Sequence, residues 1–110
     1  MANAWQQGRD ELDDRDVVVR PNGLARAILL GDARACYPYL HKVASATGGC
    51  ILSVTQSELA RARHLLAELE GLTVCYSSAA TIAAIGKQAA DGAISRDHTV
   101  LAVLTGRSRA

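Results

Sequence analysis

Val100-Leu101-Ala102-Val103-Leu104 is an unbroken apolar run that stops at Thr105-Gly106. A strand with no polar alternation is buried on both faces, as in the middle of a parallel sheet covered by helices. In open α/β sheets, ligands sit outside the carboxyl ends of the strands. The run therefore predicts that Thr105 stands where a hydroxyl meets a ligand. A second apolar segment, Leu72-Thr73-Val74-Cys75-Tyr76, delivers Ser77-Ser78 to the same kind of edge.

Around these two segments the chain alternates helix and strand signals. Met1 to Asp16 is a polar, acidic lead with only Trp5 and Leu12 as large apolar residues. It is predicted to be a frayed tail or a short helix docking through those two. Val17-Val18-Val19 reads as strand-like and runs into the breaker Arg20-Pro21-Asn22-Gly23. A helix is predicted from about Pro38 to Thr47, with Pro at the first helical position and Gly48-Gly49 as its stop. A strand over Cys50–Val54 follows. The next helix is the best specified. Thr55-Gln56-Ser57-Glu58 is a capping box, Leu59, Ala62, Leu66 and Leu69 recur on one face, and Gly71 ends the pattern. Strand Leu72–Tyr76, a helix from about Ser78 to Ala90 with Ile82, Ile85 and Ala89 facing inward, and strand Thr99–Leu104 complete the order. Short Gly-containing turns between such elements imply right-handed crossovers. The predicted architecture is a three-layer αβα domain over residues 17–110 with a small, mainly parallel sheet.

Composition narrows the functional classes. The 110 residues include 12 basic and 11 acidic side chains, for a net charge of +1. No basic stripe with interleaved aromatics is present, so a nucleic-acid partner is not expected. The apolar runs are far short of a membrane span. The lead has no apolar signal segment, which points to the cytoplasm. The three cysteines, Cys36, Cys50 and Cys75, and the three histidines, His41, His64 and His98, show no metal-ligand spacing, so no metal site is expected. Cys75 precedes a helix start, where thiol pKa values fall, and His64 or His98 is conceivable as its base. With no Phe and one Trp, the core is thin in large side chains. This favours modest stability or a partner that covers one face.

Five stretches in order carry a family likeness. These are Ala27-Ile28-Leu29-Leu30-Gly31-Asp32, Thr47-Gly48-Gly49, Val54-Thr55 with Glu58, Ser77-Ser78-Ala79-Ala80, and Val103-Leu104-Thr105-Gly106. Together they make Ala25–Gly106 resemble the C-terminal part of fold-type II pyridoxal-phosphate (PLP) enzymes, threonine synthase foremost and tryptophan synthase β among the relatives. The resemblance implies a partial fold-type II domain. It assigns Thr105 to the cofactor's ring nitrogen, Gly106 to the turn beside it, and Ser77 and Ser78 to the Ser/Ala-rich turn behind the cofactor. A neutral hydroxyl at the ring nitrogen favours β- or γ-elimination and replacement on amino acids. The sequence departs from the pattern at Cys75-Tyr76, where the family has an acidic residue and Pro, and in its last residues, Arg107-Ser108-Arg109-Ala110.

The family also needs a Schiff-base lysine and a Gly/Asn-rich phosphate loop. In it, both lie ahead of the matching region. The two lysines, Lys42 and Lys87, occupy surface-type positions on predicted helices. No catalytic residue is assigned to this chain. The resemblance implies one subunit of a split PLP-dependent lyase or synthase, with PLP bound only when a second chain carrying the N-terminal half completes the site. The alternative is a non-catalytic binding or scaffold module derived from that domain, acting through protein–protein association such as homodimer formation. A gene fragment without a separate role is a third reading.

Overall fold

The computed structural model describes residues 1–108; Arg109 and Ala110 lie outside the described residues. The elements are helices α1 (Ala2–Gln6), α2 (Tyr37–Ala46), α3 (Gln56–Glu70) and α4 (Tyr76–Ala90), with 3-10 turns at Asp14–Asp16 and Arg26–Ile28. Contacts divide the chain into two compact units. One holds Met1–Asn22 and Leu29–Ser53, and the other holds Gly23–Ile28 and the chain from Val54 onward.

In the first unit Tyr37, at the start of α2, is fully buried. Its hydroxyl donates to the Arg9 carbonyl at 2.7 Å, and burial pushes its pKa up. Trp5 on α1 sets its ring 5.1 Å from that of His41 on α2. The acidic stretch after α1, part of the segment expected to be a frayed tail or a short docking helix, is built into a cap. Asp13 accepts from the Arg15 amide at 2.9 Å. Asp16 accepts from the Asp13 amide at 2.9 Å and holds the Arg9 guanidinium through two hydrogen bonds of 2.9 and 2.8 Å. Two parallel bonds between guanidinium and carboxylate are the strong form of this pair. Leu40 and Val43, the apolar residues that would make an inward stripe on α2, are exposed.

The Arg9–Asp16 pair makes this unit sensitive to acid. The guanidinium and then the Asp13 amide hold the Asp16 carboxyl well below the usual carboxylate range. A folded pKa below the unfolded one contributes stability that is complete above the unfolded value. That contribution is lost as pH falls through the folded one. We expect the emission of Trp5, the single tryptophan, to shift as pH is lowered beyond about 4, the ordinary carboxylate value. The Asp16→Asn variant should lack that transition, and an identical acid profile in the variant would refute the assignment.

In the second unit, α3 is framed as its sequence predicts. The Glu58 amide donates to Thr55 Oγ1 at 3.2 Å, and the Thr55 amide donates to a Glu58 carboxylate oxygen at 2.6 Å. Gly71 ends the helix in the left-handed region at φ 66°, a conformation costly for any residue with a Cβ. Leu59, Ala62 and Leu66 are buried, whereas Leu69 in the last turn is 73% exposed. α4 packs on α3, and the core is Ala62, Leu66, Val74 and Ala79, with Ile82, Ala83 and Leu104 against it. Alanines at 62 and 79 leave no bulk between the helices, so the two can pack closely.

The sheet predicted from the sequence is not formed by the described residues. They contain no strand, and one isolated antiparallel bridge joins Val74 to Arg107. Segments 17–19, 50–54, 72–76 and 99–104 were all predicted to be strands. The backbone of 99–104 makes no hydrogen bond among the described residues. Leu101 is 88% and Val103 61% exposed, not buried on both faces. The physical reason is that an apolar run becomes a buried strand only when neighbouring strands pair with it and helices cover it. Among the described residues of this unit, the extended segments bond to each other, backbone to backbone, only between 73–75 and 106–108. No helix among the described residues is long and apolar enough to cross a membrane.

Candidate functional site

The predicted ligand residues meet where α4 begins. Cys75 is the extended residue ahead of the helix, and its amide donates to the Gly106 carbonyl at 3.0 Å. Ser78, in the first turn, is 2% exposed. The Gly106 amide donates to Ser78 Oγ at 2.8 Å, Ser78 Oγ donates to the Gly106 carbonyl at 3.2 Å, and the Cys75 thiol donates to Ser78 Oγ at 3.5 Å. The structure thus brings Ser78 and Gly106 together. Ser77 is half-buried beside them. Thr105 is exposed, and its hydroxyl has no partner among the described residues. Thr105 and Gly106 line an open hollow of about 540 Å³ whose other walls include Thr73, Val74 and Leu104.

Gly106 is required by close approach. A Cβ there would lie 2.6 Å from Cys75 Sγ and 3.5 Å from Ser78 Oγ. The segment after it is fixed by Arg63 of α3, a residue the sequence reading passed over. Its Nε donates to the Val74 carbonyl at 2.9 Å, its Nη2 donates to Ser108 Oγ at 2.8 Å, and its guanidinium lies 4.7 Å from the centre of the Tyr76 ring. The available signal was its spacing. Arg63 sits four residues after Leu59 and three before Leu66, on the buried face, where a long basic side chain lays its stem along apolar surface and spends its head on polar partners.

No histidine completes a nucleophilic pair among the described residues. His64 Nε2 is 3.2 Å from Glu68, and His98 Nδ1 accepts from the Ser95 amide at 3.1 Å.

An exposed, unpartnered hydroxyl on the rim of a hollow fits a contact to an aromatic ring nitrogen. The remaining needs of PLP are an amine and a phosphate cradle. The lysine of this unit, Lys87, lies nine residues along α4 from Ser78, about 14 Å by helix rise. The residues gathered here therefore fit one edge of the cofactor.

Residues 1–106 match the family of pyridoxal-phosphate dependent enzymes, and the chain belongs to that family. The match extends to residue 1, ahead of the Ala25–Gly106 span that carries the sequence likeness, and it makes the chain part of a fold-type II α/β domain. Among its relatives, the threonine synthase of Halalkalibacterium halodurans is 36% identical over 100 residues, covering 91% of this chain and 28% of that protein. The threonine synthase of Methanosarcina acetivorans is 37% identical over 86 residues, covering 78% and 21%. The cysteate synthase of Methanosarcina barkeri is 30% identical over 115 residues, covering 96% and 27%. The chain spans about a quarter of the length of the curated relatives it matches.

Proposed function

We propose that this chain is the C-terminal component of a threonine synthase-like PLP enzyme, a split lyase or synthase acting on amino acids by β- or γ-elimination or replacement. A lysine-bearing partner polypeptide contributes the Schiff-base amine and the phosphate loop. The observation that carries the proposal is the exposed Thr105 hydroxyl, unpartnered beside the start of α4. PLP, when bound, supplies the electron sink. Thr105 offers a neutral hydrogen-bonding group to the ring-nitrogen edge. Gly106 keeps the turn slim, and Ser77 and Ser78 form the wall behind it. The unpaired backbone of 99–104 is open to strands from the partner, which would complete the parallel sheet around it.

The test is to mix the chain with the polypeptide encoded in the neighbouring reading frame, in the presence of PLP. The mixture should acquire the yellow absorption of bound cofactor, and Thr105→Val should weaken or displace it. Two chains that stay colourless together would end the proposal.

The exposure of Leu101 and Val103 supports a second reading, a non-catalytic module that associates with another protein or with itself through that surface. Light scattering on the purified chain separates the two. The module reading expects a stable dimer, and the split enzyme expects assembly only with its partner.

A further inference from the structure

We infer that Ser78 is a positioning residue, which sets the Thr105 hydroxyl by clamping the Gly106 backbone at both its N–H and its C=O, and so the peptide that Thr105 shares with it. The inference rests on the proposed role of Thr105 for its functional meaning, but its geometry is independent of any cofactor.

A serine hydroxyl has one proton to donate and two lone pairs to accept with. At Ser78 the proton goes to the Gly106 carbonyl, one lone pair takes the Gly106 amide, and the other faces the Cys75 thiol. That capacity is fully used, so Ser78 has nothing left to offer a ligand directly. The residue is also 2% exposed, on a helix otherwise rich in alanine in its first half. Alanine is the better helix former, and a buried hydroxyl is unfavourable unless its hydrogen bonds are satisfied. The hydroxyl is explained by what it holds. Gly106 has no side chain of its own to fix its orientation. Its N–H belongs to the 105–106 peptide and its C=O to the 106–107 peptide, so a hydroxyl bonded to both holds the two peptide planes that flank its Cα. Thr105, one bond away, inherits that orientation. The Cys75 amide gives the Gly106 carbonyl a second anchor at 3.0 Å, so loss of Ser78 releases the N–H side most completely.

The experiment compares the full chain with its Ser78→Ala and Ser78→Cys variants. Amide hydrogen exchange is followed by NMR at Gly106 and at the α3 core amides. Alanine preserves the helix, so core exchange serves as the control. Ser78→Ala should speed Gly106 exchange on the order of tenfold, the worth of one hydrogen bond, and free the Thr105 side chain to average among rotamers. Ser78→Cys, a weaker hydrogen-bonding isostere, should fall between. Unchanged Gly106 exchange, or a Thr105 rotamer distribution that ignores Ser78, overturns the inference. A second arm adds PLP to the chain assembled with its lysine-bearing partner. Ser78→Ala should then shift the cofactor absorption in the direction of Thr105→Val. If Thr105→Val shifts it and Ser78→Ala does not, positioning by Ser78 is refuted while the Thr105 contact stands. If the exchange results hold and Thr105→Val leaves the cofactor unmoved, the proposed ring-edge contact fails and Ser78 remains the residue that orients Thr105.

Discussion

Gly106→Ala will destabilise the second unit, and removal of one neighbouring sulfur will restore it. The added Cβ would stand 2.6 Å from Cys75 Sγ, closer than a carbon and a sulfur can approach. The thiol must rotate away or the 105–107 segment must retreat. Retreat breaks the Cys75–Gly106 and Ser78–Gly106 bonds together. Overpacking of this kind costs roughly 1–3 kcal/mol. Cys75→Ala deletes the obstructing atom, and the next neighbours of the new Cβ lie at 3.5 and 3.8 Å, ordinary contact. The double variant should therefore regain most of the midpoint lost by Gly106→Ala in urea unfolding followed by circular dichroism. Simple addition of the two single effects would show that the contact is not what limits position 106.

Leu66→Ala should be more damaging still. Leu66 is 8% exposed and sits in the cluster with Ala62, Val74 and Ala79. Its buried neighbours Ala62, Val74 and Ala79 are small or short, and Ile82 and Leu104 pack against the cluster from its partly exposed side, so truncation leaves a cavity that closes only if those two side chains move inward. Leucine-to-alanine changes at such positions cost about 2–5 kcal/mol. A unit of roughly sixty residues has only about 3–9 kcal/mol of stability in total. The variant should unfold this unit at denaturant concentrations where the parent is intact. Leu69→Ala, three residues on and 73% exposed, should move the midpoint by no more than about 0.5 kcal/mol. Equal losses at the two positions would mean that the buried face of α3 is wrongly assigned.

Much of the helical framework was legible because its signals are local. Thr55 with Glu58 and Gly71 mark the ends of α3 through bonds and dihedrals that neighbouring residues satisfy among themselves. The start of α4 moved two residues forward, to Tyr76, because an apolar Cys75-Tyr76 pair reads equally well as a strand end or as a helix entrance. The strands were legible only as apolar runs. Whether a run pairs depends on partners distant in sequence, and the one pairing observed, Val74 with Arg107, is antiparallel. The meeting of Ser78 with Gly106 was half visible. Both were placed at a common rim, but a side chain gripping a backbone 28 residues away leaves no periodic trace. Arg9 and Asp16 were missed because a spacing of seven signals contact only within a regular helix, whereas here the chain turns between the two residues.

The segment from Val100 to Leu104 carries no charge and no proline, and its backbone groups are idle. Such stretches template one another, stacking copy on copy into insoluble ladders. If the proposed partner covers that edge, it would also guard the chain against this stacking. Synthesis in excess over the partner would then yield precipitate instead of a reserve, tying useful abundance to matched synthesis.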